Sequence, residues 1–130
     1  MAKYAYPAIF TKESNGYSVK FPDLESCYTD GNTLPEAIEN AQDVLNLVLY
    51  KLEENENYIA PPSPIKKIKT GTDEFASLIS CDTIEYRKFV DKKAVKKTLT
   101  IPAWLNTIAE RQGVNFSTVL QDGLKQRLNL

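Results

Sequence analysis

Apolar and polar residues alternate at three places in the first thirty residues and once near residue 100, and a long stretch of helical spacing lies between them. Tyr4-Ala5-Tyr6-Pro7-Ala8-Ile9-Phe10-Thr11 predicts a first strand that runs into the polar segment Lys12-Glu13-Ser14-Asn15-Gly16. Asn-Gly between two strand patterns is a strong hairpin signal. The return strand is Tyr17–Phe21, with Tyr17, Val19 and Phe21 on one face, and Pro22-Asp23 ends it. A shorter third strand follows at Ser26–Thr29, stopped by Asp30-Gly31. Pro7 lacks an N–H, so we expect it near an edge or a bulge. Thr33 with Glu36 three residues later is a capping box. It opens a helix in which Leu34, Ala37, Ile38, Ala41, Val44, Leu45, Val48 and Leu52 share one stripe. The opposite face, Glu36, Glu39, Asp43, Glu53, Glu54 and Glu56, is expected to be solvated. Pro61-Pro62-Ser63-Pro64 is an extended connector. Glu74–Cys81 predicts a fourth strand, buried on both faces at its centre and parallel to the first across the helical crossover. Asp82–Val90 predicts a short helix.

The last alternation is Lys96-Lys97-Thr98-Leu99-Thr100-Ile101-Pro102. Lys96, Thr98 and Thr100 point one way, Leu99 and Ile101 the other, and Lys97 joins the apolar side by its stem. Pro102 starts a helix with Leu105, Ile108 and Ala109 on one face, and Gly113 closes it. Asn115 then caps a second helix carrying Phe116, Val119, Leu120, Leu124 and Leu128. Such a strand has no partner in its own sequence, and unpaired backbone groups are costly. Two copies pairing antiparallel about a two-fold axis would satisfy them and bury four helix faces. The strand requires a homodimer and leaves a higher oligomer open. The segment from Val95 to about Leu128 resembles the ribbon-helix-helix DNA-binding family. That resemblance places the paired strands in the major groove. Lys96, Thr98 and Thr100 are then expected at base edges and Lys93 on phosphate, with the backbone N–H groups of Phe116, Ser117 and Thr118 after the Asn115 cap also holding phosphate. The alternative is a hairpin that merely dimerises.

Charge separates these readings. The chain has 16 basic and 17 acidic residues, but from Arg87 onward nine are basic and three acidic. A basic tail on an acidic body suits phosphate contact. At 130 residues the expected organisation is α+β in two parts, 1–90 and 91–130. The amino end, Met1-Ala2-Lys3-Tyr4, does not read as a signal peptide, and no apolar run would span a bilayer, so a cytoplasmic protein without membrane contact is expected. Cys27 and Cys81 are too far apart for a zinc spacing, there is no histidine, and both thiols are expected to be buried and free. No metal or cofactor is expected.

Three short motifs occur in order: Lys3-Tyr4-Ala5-Tyr6-Pro7-Ala8-Ile9-Phe10, then Gly16–Leu24 with Cys27-Tyr28-Thr29-Asp30-Gly31, then Thr33-Leu34-Pro35-Glu36-Ala37. Together they resemble the HicB antitoxin family. The resemblance implies a partial RNase H-like β-β-β-α-β domain that holds a HicA-like RNA-cleaving toxin inactive, followed by a DNA-binding module that represses the operon; here that module resembles the ribbon-helix-helix (β-α-α) variant. Glu25-Ser26 stands where the family has Pro-Gly. Tyr28 and Asp30 are the candidate toxin contacts, against the alternative of a core aromatic and a turn aspartate. A non-catalytic protein is expected, because the inward positions of the first strand carry no acid and no histidine is available as a base. A second reading is a repressor whose amino-terminal domain senses a small ligand.

Overall fold

The computed structural model describes residues 2–130. It divides into two compact units, Met1–Lys93 and Ala94–Leu130.

The first unit is a four-stranded antiparallel sheet packed on one long helix. Strands β1 (Lys3–Glu13), β2 (Gly16–Lys20), β3 (Tyr28–Gly31) and β4 (Glu74–Asp82) lie in the order β3-β2-β1-β4. Helix α1 spans Leu34–Glu54, a 3-10 turn spans Ile65–Lys67, and α2 spans Thr83–Val90. Alternation along β1 sends Tyr6, Ala8 and Phe10 to the core, where they meet Val19 and Phe21, Ile79 and Cys81, and Ala37, Ala41, Leu45 and Leu49 of α1. The side chains facing the sheet from α1 thus recur every four residues, as helical geometry requires. Two glycines permit close approach. A Cβ on Gly31 would lie 2.4 Å from the Ala37 nitrogen, and one on Gly16, at φ +142°, would lie 2.2 Å from the Gly31 carbonyl oxygen.

The hairpin forms, but Glu13 pairs with Gly16, so Ser14-Asn15 is its loop and Gly16 already belongs to β2. Pro7 sits in a central strand. It pairs with Leu78 of β4 on one side, while the β2 ladder begins only at Ile9, so no strand on that side needs its missing N–H. Helix α1 starts with the Thr33 hydroxyl accepting from the Glu36 N–H at 3.3 Å. It ends in a Schellman motif: Asn57 N–H bonds Leu52 C=O at 2.9 Å and Glu56 N–H bonds Glu53 C=O at 3.1 Å, with Glu56 in the left-handed region at φ 51°.

Strand β4 is antiparallel to β1, with Thr11 opposite Glu74 and Lys3 opposite Asp82, and this corrects the expected parallel pairing. Helix α1 runs down the sheet, ending where Glu53 meets Tyr4. The connector then climbs back, bonding Ala60 to the Tyr6 hydroxyl, Ser63 to Asp23 and Asp73 to Lys12. The chain therefore enters β4 beside the end of β1. Nor is β4 buried on both faces: Leu78 is 54 % exposed, because alternation turns it to the face away from α1, and Phe75 is 40 % exposed. Cys27, just ahead of β3, and Cys81 in β4 are buried and free. Burial pushes their thiols up to about 12 and about 11.

The second unit contains α3 (Ala103–Arg111) and α4 (Phe116–Leu128). Gly113, at φ +68°, completes a Schellman end to α3 through Val114 N–H to Ala109 C=O at 3.1 Å. Residues 91–102 hold no strand. The expected Lys96–Ile101 strand is thus absent from the single chain, and it does not join the sheet of the first unit. A β ladder needs a second backbone.

Candidate functional site

The polar centre of the first unit is Glu53. Its position on the outer stripe of α1 had suggested a solvated acid, but its side chain is only 5 % exposed. One carboxylate oxygen accepts from the Tyr4 hydroxyl at 2.8 Å and lies 2.9 Å from the Thr83 hydroxyl; the other accepts from Arg87 Nη2 at 3.0 Å. Arg87 also pairs with Glu54 and lies over the Tyr50 ring, 4.7 Å from its centre. Burial alone would raise the Glu53 carboxyl, but donated hydrogen bonds outweigh it and hold the group below the usual carboxylate range. Burial and the Glu53 bond push Tyr4 up to about 12. Asp82 caps α2 by accepting from Ile84 N–H at 3.0 Å and Glu85 N–H at 3.3 Å. This set joins β1, α1 and α2 and is an architectural lock. Periodicity missed it because the last turn of α1 leans on α2, which a helical wheel does not contain.

Tyr28 and Asp30 lie on β3. Tyr28 is 70 % exposed, so the core-aromatic alternative fails. The Asp30 carbonyl accepts from Asn40 Nδ2 at 2.9 Å, tying the edge of β3 to α1, while the residue as a whole is exposed. Both belong to one accessible strand.

In the second unit the Asn115 side chain accepts from Thr118 N–H at 3.1 Å. Phe116 and Ser117 open the first turn of α4 with N–H groups oriented toward an anion, whereas the Thr118 N–H is taken by the Asn115 cap, which corrects the expectation that it holds phosphate. Lys93, Lys96, Thr98 and Thr100 are all exposed, in the stretch without regular structure. The single chain does not gather their side chains onto one face. Trp104, Leu105 and Ile108 of α3 and Phe116, Val119, Leu120, Leu124 and Leu128 of α4 are exposed as well. Among the described residues no group of three Cys, Asp or Glu side chains could hold a metal ion, and no helix is long and apolar enough to cross a membrane.

Comparison with known proteins places this geometry. The chain is 26 % identical over 100 residues to an uncharacterised 14.9 kDa protein from the rep-hol intergenic region of Haemophilus phage HP1, covering 77 % of this chain and 74 % of that one. A chain of a toxin–antitoxin complex from Streptococcus pneumoniae is 28 % identical with a TM-score of 0.62, covering 96 % of this chain and 99 % of its own. The crystal structure of the antitoxin HicB3 shares the fold at 24 % identity and a TM-score of 0.53, covering 95 % of this chain and 97 % of that one. The family described as the HicB-like antitoxin of bacterial toxin–antitoxin systems matches residues 6–121, and with that span covering both units, the chain belongs to the HicB-like antitoxin family.

Proposed function

We propose that this protein is the antitoxin of a type II pair. Its first unit, a partial RNase H-like domain, binds and neutralises a HicA-like mRNA-cleaving toxin. Its second unit pairs with a second copy as a ribbon-helix-helix module, binds operator DNA and represses the shared operon. The protein works in the cytoplasm by binding alone, without catalysis or cofactor.

The observation that carries the regulatory half is the state of the second unit. Among described residues 94–130 none is buried, although Leu99, Ile101, Trp104, Leu120 and Leu124 are large and apolar. A unit with two amphipathic helices and no core of its own is incomplete, and a second copy supplies both the apolar cover and the missing strand. Pairing would place Lys96, Thr98 and Thr100 on one polar face, twice over. The toxin half is supported by family membership and by the acidic first unit, which suits a partner built to hold RNA phosphates.

The test is reconstitution. The small protein encoded by the neighbouring open reading frame is purified and its RNA cleavage followed with and without this chain, and the same preparation is titrated against duplex from the operon promoter. Stoichiometric loss of cleavage and retention of promoter duplex over random duplex are expected. Undiminished cleavage overturns the antitoxin reading, and equal affinity for both duplexes overturns the repressor reading.

A further inference from the structure

Strand β4 leaves one side of the sheet open. Its register with β1 fixes which backbone groups face outward: Ser80 C=O accepts from Gln42 Nε2 at 2.9 Å, so it points away from β1. By the two-residue repeat of an antiparallel ladder the N–H and C=O groups of Ala76 and Leu78 point the same way. Along Ala76–Ser80, among the described residues, Gln42 makes the one hydrogen bond from outside the sheet. The opposite edge is only four residues long and is tied to α1 through Asn40. An edge as long and uncharged at its centre as β4 is a template for another strand.

Beside this edge runs a groove of about 280 Å³, lined by Pro35, Ile38, Glu39 and Gln42 of α1 and by residues 78–80 of β4. Its lining is half apolar, with Ile38 of α1 44 % exposed. Its outer wall is acidic. Glu36, Glu39 and Asp43 follow at helical spacing and are all exposed, and α1 carries no basic residue before Lys51.

We infer that the β4 edge and this groove receive an extended, basic segment of the partner protein by strand addition. On the reading of the partner as an RNA-cleaving toxin, on which this inference rests, the segment belongs to that toxin. The main chain would pair with Ala76–Ser80, alternate side chains would enter the groove beside Ile38, and cationic side chains would meet Glu36, Glu39 and Asp43. Gln42, which occupies the Ser80 carbonyl in the free chain, yields it to the incoming N–H. A second copy of this chain is the poorer occupant. Two-fold pairing of β4 about Leu78 sets Glu74 opposite the other copy's Asp82 at both ends and brings two acidic helix walls together, and like charges placed opposite are destabilising.

The experiment measures binding of the full chain to the neighbouring gene product, with amide hydrogen exchange on both states. Amides of Ala76, Leu78 and Ser80 should slow in the complex. Glu39→Lys with Asp43→Lys, both on an exposed helix face, should weaken binding by about tenfold without changing the circular dichroism or the melting temperature. Leu78→Pro, which removes an outward donor, should weaken it further. Binding by the parent chain with neither protection at β4 nor loss in the double variant overturns this inference and leaves the antitoxin function standing. Absence of binding by the parent chain overturns both. Protection of β4 in the isolated chain that grows with concentration assigns the edge to a second copy and overturns it too.

Discussion

Ser26 occupies the left-handed region at φ 54°, where a side chain costs about 1 kcal/mol or more and glycine does not. The resemblance to the family had marked this site as one where Ser stands for Gly, and the backbone explains the glycine. Ser26→Gly should stabilise the first unit by about 0.5–1 kcal/mol after allowing for the freer unfolded chain. That gain would be read as a higher urea midpoint at unchanged slope. Glu53 shows a different kind of dependence. Its folded pKa is depressed, so the stability it contributes is present above the ordinary value of about 4.3 and is lost as pH falls through the lower folded value. Glu53→Gln should therefore cost about 1–3 kcal/mol near neutrality and flatten the acid limb of a stability–pH curve. An unchanged acid limb would remove Glu53 from the lock. The sequence offered Glu53 only as one acid among six on a helix, since burial depends on α2, which arrives thirty residues later.

At the level of elements, local chemistry was a reliable guide to where helices start and stop, whereas the expected Asp30-Gly31 stop failed, because both residues pair with β2 as part of β3. The Thr33 and Asn115 caps and the Gly113 stop all rest on side-chain or backbone contacts within a turn, which is why they could be read residue by residue. The direction of β4 could not, because it depends on where a nineteen-residue connector leaves the chain after α1, and proline-rich segments reveal extension but not destination. Within the basic segment the proposed division of labour gives a sharp expectation. Thr98→Ala should relax base preference by about 1–3 kcal/mol. Lys93→Ala should weaken cognate and random duplex alike and lower the salt slope by about 1. Titrations at several salt concentrations distinguish the two; equal losses on both duplexes from both substitutions would refute it.

For the whole molecule, one unit is finished within a single chain and the other is not. The first encloses Tyr6, Phe10, Leu45 and Leu49 completely, while the second leaves Leu120 and Leu124 open. The full chain should sediment as a dimer at micromolar concentration. Leu120→Asp should raise its dissociation constant about 100-fold or more by burying an unpaired carboxylate and abolish DNA retention, while the thermal transition of the first unit stays where it was. A dimer that survives this change would place the contact elsewhere. The sequence by itself determined the four helices and the presence of the first unit's strands, the Thr33 and Asn115 caps, most of the core-facing residues of α1, and the separation of an acidic body from a basic tail, because each follows from neighbours within a few residues. Only the tertiary structure decided that β4 runs antiparallel at an open edge, that Glu53 is locked inside while Tyr28 stands outside, and that Lys96–Ile101 has no strand to pair with in its own chain. These depend on which distant segments meet, and a one-dimensional pattern of polar and apolar positions does not encode the distances between them.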